Sequence, residues 1–431
     1  MRKLTQKLFK SIKLTMGTFF FLSLWFMLCM NINNAFAEDT IKIGYISPLT
    51  GNHAEFSESD PFVLSKMKQL LKDGLEINGK NYKVKIIQKD SQSNTDRASN
   101  LTAQLILKDE IDLLLVQDSL SSITACDQAE VHEVPTISTM MPWQAWMFPR
   151  KGDPAVGFDW TFHFFWGLED VMQCYTDLWK SVDTNKNVGT LYLNNPSGQA
   201  FANKEFGLPA AIQKIGYTEI ETGALLDGTL DFSPQITKFK TNNADIITGM
   251  FYIQDLTTFW SQSAQQEFKP KVVTIAAALL FPSALEALGD RGNGLTTEVW
   301  WSPAHPFKSS LTGESAKQLA DSYEKETKRQ WTQPLGYAHA IWEIGIEALK
   351  RSDDPHNKEA VREALAKMKM DTIVGSINWQ DTPIKNVSKT SLVAGQWRIG
   401  GDFKYQLLVV NNNADPSIPV QANFKLLTEL P

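Results

Sequence analysis

The chain has 431 residues, with 42 lysines and arginines against 48 aspartates and glutamates, for a formal charge of −6. This length exceeds what one hydrophobic core fills, so two lobes are expected, and three cysteines exclude a disulfide framework. The acidic balance, with no basic stretch interleaved with aromatics, argues against nucleic acid and anionic lipid as partners.

In chain order, a basic run (Arg2, Lys3, Lys7, Lys10, Lys13) leads into the apolar block Met16–Met30, followed by Ala35-Phe36-Ala37 and then Glu38-Asp39. This is the pattern of a cleavable secretory signal, residues 1–37, too short in its apolar part for a good membrane span. Cys29 lacks the small residues that precede a lipoprotein cysteine, so a soluble exported protein beginning at Glu38 is expected, in the periplasm. Removal of the signal leaves 37 basic against 48 acidic residues, a charge of −11. It also leaves two cysteines, Cys126 and Cys174, as either one bridge or two buried thiols.

Ile41–Ile46 reads as a first strand, broken at Pro48-Leu49-Thr50-Gly51. Asp60-Pro61 opens a helix, Tyr82–Lys89 is a strand, and Thr95 or Asp96 caps the next helix. Ile111–Val116 is apolar enough to be buried on both faces; a helix around Thr124–His132 and the strand Pro135–Ser138 follow. The rhythm restarts with strands at 187–193, 217–221, 245–251 and 271–277, separated by helices at 199–215, 233–241 and 255–267. Helices at 314–329, 335–350 and 358–369 and strands near 373–379, 392–399 and 403–410 complete the chain. Strand–helix alternation of this kind indicates α/β lobes with parallel, doubly wound sheets.

Several strings, in their order and spacing, resemble the branched-chain amino-acid type of periplasmic solute-binding protein, the leucine/isoleucine/valine-binding receptors of ABC importers. They are Ile43–Gly51, Asp90 with the helix from Asp96, Val134–Ser138 and Val374–Trp379. The resemblance implies a type I Venus flytrap: lobe 1 from 38–165 plus 298–373, and lobe 2 from 166–297 plus 374–431. Three crossings are expected near Phe162–Trp166, Thr296–Trp301 and Ile373–Ile377, with the ligand in the cleft between the lobes. It implies no catalysis, no cofactor and no metal, a small organic ligand (an amino acid or an aromatic or apolar carboxylate), an ABC permease as partner, and a monomer. A sensory module of the same fold is the alternative function, and a secreted hydrolase is a third.

The resemblance also points to site residues. The loop with Ser119, Ser121 and Ser122 precedes a helix and suits an anionic ligand group; helix capping by Ser121 or Ser122 is its other role. Met141, Trp143 and Trp146 replace a small polar loop of the family and suggest a ligand with an aromatic or sizeable apolar body. Glu169 stands where amino-acid receptors hold an ammonium group, whereas Ala277-Ala278 stand where those receptors carry a second acid. Ser197, Phe251, Tyr252, Trp301 and Tyr337 complete the expected pocket. The residues carry no Gly-x-Ser-x-Gly elbow, phosphate-binding glycine loop or zinc-type histidine pair.

Overall fold

The computed structural model describes residues 39–430, so the expected signal segment lies outside the described residues. Two seven-stranded sheets form the lobes. The first contains β1 (Thr40–Ser47), β2 (Leu75–Ile77), β3 (Lys80–Asp90), β4 (Leu113–Gln117), β5 (Thr136–Thr139) and β6 (Thr161–Phe164). The second contains β7 (Asn187–Leu193), β8 (Thr218–Leu225), β9 (Ile246–Phe251), β10 (Val272–Ala277) and β11 (Thr296–Val299). A hairpin of β12 (Lys369–Thr372) and β13 (Gly375–Asn378) stands apart; β14 (Val387–Ser388) joins the first sheet, and β15 (Val393–Ile399) and β16 (Tyr405–Asn411) join the second.

The strand orders are β14-β6-β5-β4-β1-β3-β2 and β16-β15-β11-β10-β9-β7-β8. Pairing is parallel except at one end of each sheet, where β2 pairs antiparallel with β3 and β15 pairs antiparallel with β11 and β16. Each sheet is thus doubly wound, reversing direction beside β1 and β4 in one lobe and beside β7 and β9 in the other. Its central strands are buried along nearly their whole length, as helices on both faces require.

The helix from Asp60 begins as expected, with Pro61 in its first turn. Other local readings shift. The cap of the helix Thr95–Leu107 is Asn94, whose side chain accepts from the Arg97 N–H. The expected helix 199–215 is two short ones, Pro196–Phe201 and Leu208–Lys214, each with a proline in its first turn. The strand near 373–379 is the β12–β13 hairpin. Cys126 and Cys174 are free and buried, one in each lobe.

The first two crossings fall where expected: β6 ends in the first sheet at Phe164, and β11 ends in the second at Val299. The third does not. Parallel pairing of β14 with β6 keeps the chain on the first sheet as far as Ser388, and it passes to β15 through 389–392 instead of Ile373–Ile377. Lys389 in this segment pairs with Glu169 and Asp170, both at 2.7 Å, and so ties the third crossing to the first.

Candidate functional site

Open α/β sheets bind ligands outside the carboxyl ends of their strands, where the winding reverses. Both sheets present that end to one cleft of about 960 Å³. Lobe 1 lines it with residues drawn from the segments 51–56 after β1, 119–123 after β4 and 141–149 after β5. Lobe 2 contributes 195–203 after β7, 252–255 after β9 and 277–281 after β10.

Three positions of backbone strain lie at the same place. Asp118 (φ 77°), Met140 (φ 64°) and Ala277 (φ 63°) are non-glycine residues in the left-handed region, at the carboxyl ends of β4, β5 and β10. Ala277, with ψ −64°, makes a γ-type turn rare outside glycine. Such conformations persist where surrounding structure enforces them, and they concentrate at ligand sites.

The inner end of the cleft narrows to a recess of about 70 Å³, walled by Phe56, Phe165, Trp166 and Trp300 with Met140 and Met250. Its aromatic wall spans the lobes. The Phe56 ring lies 5.1 Å from Phe281 and 6.1 Å from Trp300, and Trp300 meets Phe165 edge-on at 4.9 Å. The buried His53, also in the wall, lies 5.5 Å from Tyr252 of the other lobe. Burial pushes its imidazole down to about 4, so it is neutral at physiological pH. Glu298 closes the recess; it accepts from the Tyr175 hydroxyl and from Thr297 Oγ1 at 2.9 Å, and burial raises its carboxyl above the usual range.

Of the residues expected from sequence, Ser119, Met141, Ser197 and Tyr252 line the cleft. Ser121 and Ser122 do not: both are fully buried beneath the loop. Neither is the helix cap. That role belongs to Asp118, whose carboxylate accepts from the Ser121 N–H at 2.7 Å. The helix end proposed for a ligand anion therefore already holds a carboxylate of this chain.

Both tryptophans of the loop after β5 turn away from the cleft. Trp146 is wholly buried, stacked on His163 at 5.0 Å with its Nε1 on Cys126 Sγ at 3.4 Å. Trp143 Nε1 donates to Glu169 Oε1 at 3.0 Å, and its ring packs edge-on against Phe148, which does line the cleft. Glu169 itself is committed to Trp143, Gln144 and Lys389. Burial opposes its ionisation, but the Lys389 and Trp143 hydrogen bonds outweigh this and hold its carboxyl below the usual range. It braces the crossings and does not line the cleft.

Phe251 and Trp301 sit one residue from lining positions. Along an extended chain, neighbours point to opposite faces. Phe251 goes into the core against Phe232 and Phe259, and Tyr252 goes to the cleft. Trp301 is buried with its Nε1 on the Ile373 carbonyl at 3.1 Å, and Trp300 lines the recess. Gly336 is the seat for Trp301: a Cβ there would lie 2.4 Å from the indole ring. Tyr337 stands behind the recess, edge-on to Trp300 at 6.0 Å, its hydroxyl 2.7 Å from Thr390 Oγ1. Sequence reading missed Phe56, Phe165, Trp166 and Trp300. The signal was their position beside crossings and strand ends. Among the described residues, no group of three or more His, Cys, Asp or Glu side chains is placed to hold a metal, and no helix is long and apolar enough to cross a membrane.

This architecture recurs in solved structures. The leucine-binding protein LivK of Thermotoga maritima superposes with a TM-score of 0.69 at 17% identity, covering 86% of this chain and 99% of that one. A solute-binding protein of an ABC transporter from Rhodopseudomonas palustris, solved with 3,4-dihydroxybenzoic acid, gives 0.69 at 19% identity, covering 88% and 99%. The branched-chain amino-acid receptor LivJ of Streptococcus pneumoniae, solved with isoleucine, gives 0.65 at 14% identity, covering 86% and 99%. At these identities the likeness establishes the type I periplasmic-binding-protein fold. A model of the periplasmic binding protein family matches residues 40–399, from β1 to the end of β15 and so across both lobes and all three crossings, and the chain belongs to that family.

Proposed function

We propose that this chain is an extracytoplasmic solute receptor. It takes up a small organic molecule with an aromatic or sizeable apolar body between its lobes and delivers it to an ABC permease. The observation that carries this reading is the shared cleft, which both sheets line with their carboxyl ends and which ends in an aromatic recess built from both lobes. Its volume lies within the range of small-molecule sites, roughly 300–1,000 Å³. A solute held there touches both lobes at once, so binding favours the closed arrangement of a hinge. The mature protein acts in the periplasm as a monomer, after loss of residues 1–37.

A thermal-shift screen of mature protein against amino acids, aromatic acids, amines and short-chain solutes tests the proposal. A ligand at about 100 times its Kd adds ~2.7 kcal/mol to stability, which is several degrees of melting temperature. The proposal fails if the whole screen leaves the transition unmoved while substrates of hydrolases are turned over.

A further inference from the structure

Building on that reading, we infer that the cleft selects an organic cation, an ammonium group on an apolar or aromatic body, and discriminates against free carboxylates. Among the described residues, no lysine or arginine lines the cleft or its recess, and His53 is neutral. Four carboxyl groups line them: Glu55, Asp227, Asp255 and Glu298. A ligand carboxylate would enter this field with no counter-charge, whereas an ammonium group would be drawn in.

Part of the backbone donor set that could compensate an anion is already used. Asp118 occupies the Ser121 N–H at the start of the helix after β4. Asn195 Oδ1 takes the Gly198 N–H after β7. Asp255 stands in the first turn of the helix after β9 and accepts from Gly228 and Thr229 N–H at 2.8 and 3.1 Å. Lys389, beside the first crossing, is neutralised by Glu169 and Asp170 and does not reach the cleft.

The acids differ in availability. Asp227 is engaged by Asn195 Nδ2 at 2.9 Å, and Glu298 by two hydroxyls. The Glu55 carboxylate, half-buried in the turn Ala54–Ser57, has no hydrogen-bond or ion-pair partner among the described residues. It sits one residue from Phe56 of the aromatic wall. A carboxylate and an aromatic wall lining one cleft together suit an alkylammonium, by ion pairing and by attraction of the cation to a π-face. Glu55 thus takes the counter-charge role that Glu169 spends on Lys389.

Three matched sets of probes separate charge from shape: phenethylamine, phenylalanine and 3-phenylpropionate; tryptamine, tryptophan and indole-3-propionate; isopentylamine, leucine and 4-methylpentanoate. Melting temperature is read for each with wild-type protein and with Glu55→Gln. In at least one set the amine should give the largest shift and the carboxylate none. Glu55→Gln should weaken that amine about tenfold, as loss of a desolvated charge pair does, while leaving the ligand-free transition in place. A carboxylate or zwitterion that binds as tightly as its amine, or an amine indifferent to Glu55→Gln, overturns the inference and leaves the receptor reading standing. If every amine is silent the inference is wrong; if every compound is silent, the receptor reading loses its support as well.

Discussion

Trp300→Ala should destabilise the protein by ~3–5 kcal/mol, the cost of emptying a large buried aromatic site, and should weaken solute binding about thirtyfold or more, as removal of a ~2 kcal/mol hot-spot contact does. Trp300 is 3% exposed and stands at the second crossing, ringed by Phe56, Phe165, Trp166 and Tyr337. Its backbone is fixed as firmly as its side chain: Trp300 N–H donates to Gln333 Oε1 at 2.6 Å, and Gln333 Nε2 donates to the Glu298 carbonyl at 3.0 Å. Neighbours held in this way do not collapse into the void, so the cavity cost stays high. Denaturant unfolding should show a lower midpoint with an unchanged slope. Trp300→Phe should restore most of the stability but only part of the binding. Full solute affinity in a folded Trp300→Ala protein would remove the recess from the site.

Asp118→Asn should stabilise the protein at pH 8 and do so much less at pH 5. Asp118 is wholly buried and its carboxyl is pushed up to about 7, chiefly by loss of solvent, with the Asp60 charge adding to the effect. Asp60 is buried with it and also raised to about 7 by loss of solvent; Gln117 Nε2 donates to both of its oxygens at 2.9 Å. For an acid with a raised folded pKa, the folded state binds more protons than the unfolded state between about pH 4 and pH 7. Stability therefore falls as pH rises through that window and stays reduced above it. At ~1.4 kcal/mol per pKa unit, two such groups place several kcal/mol of pH dependence in lobe 1. Asparagine keeps the cap, because it serves the Ser121 N–H as well as aspartate does, and it removes the charge. Melting curves of both proteins from pH 5 to pH 8 should diverge upward in pH. Parallel curves, or a variant weaker at every pH, would show that the charge of Asp118 costs nothing.

Much of the architecture was legible in the sequence because it is written in local pattern. The apolar run Ile111–Val116 and the restart at Asn187 show two doubly wound lobes, and the loops after β4, β5, β7 and β9 were read as lining the cleft, whereas the loop after β1 with Phe56 was not. The individual site residues were harder, because adjacent aromatics alternate faces and sequence does not say which face meets the cleft. Trp301 and Phe251 were each one residue out for this reason; Trp300 and Tyr252 are the lining partners. Ionic commitments across the chain were also hidden. Glu169 looks like a free counter-charge until Lys389, 220 positions away, is found beside it. The third crossing was displaced because β14, only two residues long, carries no periodic signal of its own.

In the proposed receptor one solute is gripped by both lobes at the carboxyl ends of their sheets. Hydrogen exchange, with and without a solute found in the screen, tests this most directly. Exchange should slow in 51–56 and 119–123 of lobe 1 together with 196–200 and 252–255 of lobe 2. Protection confined to one lobe, or lying outside these loops, would contradict it.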